Sequence, residues 1–319
     1  MELINRILPA HKIKRRLLVA LLVGTIAGLL SLWGIQGIGE YGIGLFIFTP
    51  LFIGGASTIL YGYQRDVKDY EGLWVSLITL AVFYTGLLIF AIEGIICIAM
   101  VLPLALVLTL IGSFLGNYFL NRKPRSGPTA LLILFLSVPF VSFVEAGRDY
   151  PLNSVVTSID IDADPQTVWN SVIEFPELKE PEEFIFGTGI AYPLNATIEG
   201  SGVGAVRYCN FTTGSFVEPI TTWDEARLLQ FDVEEQPAPM IERGFWDIQP
   251  PHLNDYFISK KGQFRLIPLE GGKTRLEGTT WYYHKIRPAV YWQIWSNYII
   301  HKIHDRVLEH IKINSELNK

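Results

Sequence analysis

Apolar positions follow two different rules along this chain. As far as about residue 145 they come in long unbroken runs, and from Val155 onward they alternate with polar positions. A helix crossing the hydrocarbon of a bilayer needs about 20 mostly apolar residues. The early runs, residues 17–38, 43–61, 73–92, 94–120 and 129–144, therefore predict about five transmembrane helices. The fifth is short and contains Pro139. A cleaved signal peptide does not account for the first run, because four more runs come after it and no small-residue cleavage site closes it.

The alternating part predicts strands. Val155, Thr157, Ile159 and Ile161 share one face, with Asp160 and Asp162 on the other, as in a half-buried strand. Asp164 suits a helix N-cap and Pro165 the first helical position. Val168, Trp169, Val172 and Ile173 then make the apolar face of a short helix, and Pro176 and Pro181 break the next stretch into short pieces. Further strands are expected near residues 189–199, 205–212, 215–223, 227–235, 257–269 and 274–284. Turn residues separate them, among them Gly200-Ser201-Gly202, Thr213-Gly214, Asp224-Glu225 and Gly271-Gly272. Residues 236–255 hold four prolines and read as irregular. After Arg287-Pro288 a long helix is expected to about Ile313, with Trp292, Trp295, Ile299, Ile303, Val307 and Ile311 as its apolar stripe. The fold class expected is α+β: a transmembrane helical bundle over 1–146, a linker over 147–153, and over 154–319 a curved antiparallel sheet around a long terminal helix. A sheet of that kind encloses space for an apolar ligand.

Charge sharpens the division. The first 146 residues carry ten Lys/Arg and seven Asp/Glu, the remainder sixteen and twenty-four. So acidic a second part argues against nucleic acid as a partner, since phosphate binding needs a basic face. In the first part every basic residue lies in the N-terminal tail or in the second or fourth connection: Arg6, Lys12, Lys14, Arg15, Arg16, Arg65, Lys68, Arg122, Lys123 and Arg125. The positive-inside rule puts those segments, and the N-terminus, in the cytoplasm. With five spans the C-terminal domain emerges on the extracytoplasmic side; with residues 129–144 re-entrant it is cytoplasmic. Glu93 is the one strong charge within the runs and is read as interfacial. That near-absence of charge favours a passive anchor over a pump. Gly24, Gly28, Gly54 and Gly55 are read as points of close helix packing.

Residues Ser158-Ile159-Asp160-Ile161-Asp162-Ala163-Asp164-Pro165-Gln166-Thr167-Val168-Trp169 resemble the opening strand and helix of the START-like helix-grip superfamily, which includes polyketide cyclase/dehydrase-like and lipid-transfer proteins. The paired strands around Gly271-Gly272, with Thr274-Arg275-Leu276, and the terminal helix fit the same plan. The resemblance covers residues 152–316 and none of the preceding part. It implies a cavity for a hydrophobic ligand. It carries over no catalytic residue, because the superfamily shares none.

The candidate cavity residues are Arg207, Glu218, Phe231, His252, Tyr282, His284, Trp295, Ile299 and His304. Glu218 is the carboxylate set in an apolar stretch, and Arg207 or His284 would partner it there. On the strand over 274–284, Leu276, Gly278, Thr280, Tyr282 and His284 share the inward face. His301 and His304 are neighbours on the terminal helix. They suit hydrogen-bonded histidines better than metal ligands, because spacing fixes no third ligand. No metal or cofactor is expected. Cys97 and Cys209 are too differently placed to pair, and Cys209 reads as inert core. The segment 200–204 lacks the Lys-Ser/Thr ending of a phosphate loop and reads as a hairpin turn. The function expected is binding of an apolar or amphipathic molecule, lipid or isoprenoid-like, by a membrane-anchored carrier or sensor. The rivals are a cyclase/dehydratase-type enzyme using a His or Glu in the cavity, and a regulatory subunit with a membrane protein as partner.

Overall fold

The computed structural model describes residues 8–39, 41–65, 68–122, 127–145, 149–242, 253 and 255–318, with 245, 248 and 250 between. The chain forms two compact units. The first comprises Met1–Arg148 with Glu242–Pro251 and Ile286–Pro288, and the second Asp149–Ile241, His252–Lys285 and Ala289–Lys319.

The unbroken apolar runs of the first unit become helices. Helix α1 is Lys12–Leu32 and continues as a π-helical segment, Trp33–Ile38. A second π-helical segment, Gly44–Phe48, leads into α2, Thr49–Gly62. Helices α3 (Asp69–Ile89), α4 (Ile95–Arg122) and α5 (Gly127–Glu145) come next. Four stretches, Lys12–Gly37, Gly44–Gly62, Asp69–Ile89 and Ile95–Asn121, are long and apolar enough to cross a membrane. This corrects the expectation of five: Thr129–Glu145 is apolar and helical but falls short of that length. Glu145 ends it and turns its Oε2 onto the amides of Ile43 (2.6 Å) and Gly44 (3.3 Å).

Small residues and hydroxyls hold α2, α3 and α4 together. Thr58 Oγ1 lies 3.0 Å from Ser76 Oγ and 2.9 Å from Ser113 Oγ, and Ser76 donates to the Gly54 carbonyl at 3.1 Å. In a bilayer such bonds would take the place that burial from water has in soluble cores. Arg15 is buried and donates Nη2 to the carbonyls of Leu60 (3.1 Å) and Tyr63 (2.7 Å), satisfying the end of α2. The packing reading holds for Gly54 and Gly55, which face Gly112, and in weaker form for Gly24. It does not hold for Gly28, where a side chain would meet nothing within 4 Å.

The second unit opens on β1, Asn153–Ile161, and α6, Pro165–Ile173. Asp164 caps α6 by accepting from the amides of Gln166 (2.9 Å) and Thr167 (3.2 Å). A short helix α7, Phe184–Gly187, precedes six strands: β2 (Pro193–Glu199), β3 (Val206–Phe211), β4 (Gly214–Asp224), β5 (Leu228–Asp232), β6 (Phe257–Leu269) and β7 (Lys273–His284). Helix α8, Ala289–Leu317, ends the chain. All neighbouring strands pair antiparallel, in the order β1-β7-β6-β5-β4-β3-β2. The last six strands thus form a meander in chain order, and β1 joins beside β7. Register shifts at Pro193/Asn195, Ile220/Thr222 and Ser259/Lys261 bend the sheet.

The core lies where α6 and α8 meet one face of the sheet. Val168, Trp169, Val172, Phe175, Leu229, Leu276, Leu308 and Ile311 are buried in it. The inward row of α8 runs through Trp292, Ile300, Val307, Leu308 and Ile311. It therefore takes Ile300 where the sequence suggested Ile299, and Trp295 and Ile299 are half-buried. The opposite face of the sheet is polar. There Arg275 forms a two-pronged bond with Asp160 (2.7 and 3.0 Å), and Lys261 Nζ sits 4.5 Å from the Trp281 ring, which shelters that aromatic on the outer face.

Candidate functional site

The hairpin of β3 and β4 sets Arg207 opposite Glu218. Both are buried, at 1% and 6% exposure, and they form a salt bridge. Arg207 Nε also donates to the Ile173 carbonyl at the end of α6 (3.3 Å). Its guanidinium carbon lies 5.5 Å from the ring centres of Phe231 and Phe264 and 5.6 Å from that of Phe175. Phe231 pairs with Gly262 across the sheet and lies over it; a Cβ there would stand 2.6 Å from the ring. The result is one ion pair walled by three aromatic rings on the apolar side of the sheet.

Burial raises the Glu218 carboxyl above its usual range, against the pull of Arg207. The guanidinium stays charged throughout. Burial, with the Glu218 charge adding to it, pushes the nearby Cys209 thiol up to about 12. Cys209 is therefore a buried apolar group at neutral pH and not a nucleophile.

The other candidates lie toward the far end of the same face. Tyr282 is fully buried, stacks on Phe257 with ring centres 5.3 Å apart, and donates to Asn297 Oδ1 at 2.7 Å. His284 is buried 6.1 Å from the Tyr282 ring. His304 Nδ1 lies 3.0 Å from Thr157 Oγ1 and its Nε2 lies 2.8 Å from Thr280 Oγ1. His301 Nδ1 reaches the same Thr157 hydroxyl at 2.8 Å. The two histidines thus tie α8 to β1 and β7. Among the described residues no group of three His, Cys, Asp or Glu is placed to hold a metal ion. His310 packs its ring on Phe175, 5.8 Å away. His252 lies outside the described residues. The structure brings Arg207, Glu218 and Phe231 together as one group. Tyr282 and His284 form a second, while His304 makes its own bonds to β1 and β7.

The histidine ties carry a pH signature. Burial, aided by the charge of His301, lowers His304 from 6.5 to about 4. The folded state thus prefers the neutral ring. Its contribution is complete above the unfolded value near 6.5 and is lost as pH falls from there toward about 4. At most roughly 3 kcal/mol is at stake. Thermal unfolding of the whole chain from pH 7 to pH 4 should show a loss in the wild type that His304→Gln reduces. Parallel curves for the two proteins would exclude this role.

Sequence reasoning missed a set of buried acidic groups in the first unit. Glu93 is 7% exposed and accepts from the Tyr41 hydroxyl at 2.7 Å. Glu242 accepts from the amides of Ile96 (3.2 Å) and Cys97 (3.0 Å) at the start of α4. The glycines beside these carboxylates were the available signal. A Cβ on Gly94 would lie 2.0 Å from Glu242, and one on Gly42 would lie 2.6 Å from Glu145.

A curved antiparallel sheet closed by a long C-terminal helix is a helix-grip architecture, and the second unit has it. No family model matches the chain, and no curated protein matches it. Solved structures similar to it include norcoclaurine synthase from Thalictrum flavum in complex with dopamine and hydroxybenzaldehyde, at 13% identity over 54% of this chain and 95% of that one (TM-score 0.36). The protein XoxI from Bacillus cereus matches at 13% identity over 52% and 98% (TM-score 0.34). The Aha1 dimer from Colwellia psychrerythraea matches at 12% identity over 51% and 98% (TM-score 0.30). Each of the three covers little more than half of this chain.

Proposed function

We propose that this chain is a membrane-anchored binding protein whose helix-grip domain takes up an apolar or amphipathic small molecule, lipid or isoprenoid-like, as a carrier or sensor. The observation that carries this reading is the Arg207–Glu218 pair, buried among three phenylalanine rings on the apolar face of the sheet. A buried ion pair stabilises a fold poorly compared with apolar residues of the same shape. A mostly apolar interior with a few placed polar groups is what small-molecule sites use for orientation. In this reading Arg207 bonds the ligand's polar head and the rings flank its apolar body. The four long apolar helices keep the domain where such molecules dissolve. A cyclase or dehydratase has less support, because Glu218 is tied to Arg207 and the Cys209 thiol stays protonated.

Localisation is part of the proposal. The N-terminus is cytoplasmic by the positive-inside rule. Although short, α5 ends with Glu145 beside Ile43 and Gly44, at the head of the second long stretch and next to a connection that carries no Lys or Arg. This supports an extracytoplasmic C-terminal domain.

The test is native mass spectrometry with lipid extraction on the full chain in mild detergent. A lipid-class molecule should leave with the wild type and be lost or reduced in the double variant Arg207→Met/Glu218→Leu. A wild-type protein that is folded, carries nothing and takes up nothing from a lipid mixture would sink the reading. Equal loading of the double variant would remove the pair from the site.

A further inference from the structure

Three arginines gather round the C-terminal end of α2. Arg15 is 6% exposed, and its Nη2 donates to the carbonyls of Leu60 (3.1 Å) and Tyr63 (2.7 Å). Arg16 places its guanidinium carbon 5.9 Å from the centre of the Tyr61 ring. The Arg65 amide donates to the Gly62 carbonyl at 3.1 Å, and the charge of its side chain acts on Arg15. Among the described residues, Arg15 Nε, Arg16 Nε and Arg65 Nη1 are buried with no hydrogen-bond partner, and none of the three side chains is in an ion pair. A buried donor without a partner is costly, and a charged one more so. Glu71, whose charge reaches Arg16, is bonded to Lys12 Nζ (2.9 Å) and to the Lys68 amide (3.4 Å). Like charges held together repel unless an anion lies among them. Guanidinium forks match phosphate oxygens in geometry, and a phosphate monoester offers several terminal oxygens to donors arriving from different sides. In the membrane reading this end of α1 and α2 lies at the cytoplasmic leaflet, where basic pockets between helices suit anionic headgroups.

We propose that Arg15, Arg16 and Arg65 form a binding site for a phosphate monoester, borne by a lipid headgroup or by a soluble molecule, with Arg15 fixed to the end of α2 and Arg16 and Arg65 closing on the phosphate. The site lies in the first unit and does not depend on the pair on the helix-grip sheet. Arg207→Met/Glu218→Leu should therefore leave it unchanged, and the failure of one reading leaves the other standing.

The full chain in mild detergent is titrated with dioleoyl phosphatidate or dioleoyl phosphatidylcholine at about 0.15 M salt and read by native mass spectrometry. The wild type should bind phosphatidate about ten-fold more tightly than phosphatidylcholine. Arg16→Gln/Arg65→Gln, which leaves the bonds of Arg15 to α2 in place, should weaken phosphatidate binding about thirty-fold, or roughly five-fold for each charge removed. Lys14→Gln/Lys68→Gln removes the same charge from exposed side chains at the same end. It should weaken binding less than about three-fold, because salt screens charges that do not touch the ligand. Excess inorganic phosphate separates the two sources. If it displaces phosphatidate, the phosphate group alone suffices and the site takes a soluble ligand; if phosphatidate stays, its acyl chains add to the hold and the ligand is a lipid. Equal binding of the two lipids would overturn the proposal. So would an equal loss in the lysine variant, which would mean a diffuse basic surface and no site. If Arg16→Gln/Arg65→Gln does not fold, Arg65→Gln alone must weaken phosphatidate binding about five-fold for the proposal to stand.

Discussion

Replacing Glu218 with Leu is expected to destabilise the protein by about 3–5 kcal/mol, because it strands a buried charge that cannot be neutralised. Arg207 keeps its bond to the Ile173 carbonyl and its three ring contacts, but those are dipoles and quadrupoles, and the charge has lost its counter-ion. For a unit of this size that is a fall in Tm of about 6–20 °C. The partner change, Arg207→Met, should cost less, for a chemical reason. An arginine holds its proton at any working pH, whereas a stranded glutamate can take one up. The deficit of Arg207→Met should therefore shrink as pH falls from neutral toward the ordinary carboxylate range, while that of Glu218→Leu should not. The double variant Arg207→Met/Glu218→Leu should recover at least half of the larger loss, since methionine and leucine fill the space among the rings without charge. Thermal unfolding of the full chain and its three variants at pH 7 and pH 4.5 tests all of this. If the losses simply add in the double variant, the pair does not act as a unit, and the argument for a retained polar site in the core fails.

What could be read in advance tracks how far apart the interacting residues lie in the chain. Arg207 and Glu218 face each other across one hairpin, so alternation plus a turn at Thr213-Gly214 was enough to suggest that they meet. The N-cap of α6 is local in the same way, and β6 spans Phe257–Leu269 as expected. The inward row of α8 was harder to read. Apolar residues occupy 295, 299 and 303 as well as 292, 300 and 307, and only the angle at which the helix crosses the sheet selects Ile300. Beyond the local scale the pattern held no information. Tyr41 and Glu93 are 52 residues apart, and Glu145 reaches amides about a hundred residues before it. Nothing in the pattern around a glutamate at the end of an apolar run names its partner. The fifth apolar run illustrates a different limit. Hydropathy marks it as a span, but its apolar helical stretch, Thr129–Glu145, is shorter than the four that are long enough to cross.

Gly54→Ala should be among the most damaging single changes in the first unit, although it adds one methyl group. A Cβ at residue 54 would lie 2.1 Å from the Thr109 carbonyl oxygen, 2.8 Å from the Ser113 amide and 3.0 Å from Gly112 Cα. The approach is reciprocal, because a Cβ on Gly112 would lie 2.4 Å from the Leu51 carbonyl and 3.0 Å from the Gly55 amide. All these obstacles are backbone atoms, so no rotamer change relieves them and α2 must move off α4. That movement would also separate Thr58 from Ser113, whose hydroxyls are 2.9 Å apart. Overpacking costs about 1–3 kcal/mol in a soluble core and more when the backbone must shift; here the lost helix contacts add to it, since close packing is what holds apolar helices together in lipid. Gly54→Ala and Gly112→Ala should each lower the Tm in mild detergent by several degrees or yield aggregated protein on size-exclusion chromatography. Gly28→Ala is the control, because open space surrounds that position and alanine is the better helix former. It should leave the protein monodisperse with an unchanged or slightly higher Tm. Equal damage from Gly28→Ala would mean that any methyl group on these helices is harmful, and the contact between α2 and α4 would lose its special place in holding the bundle.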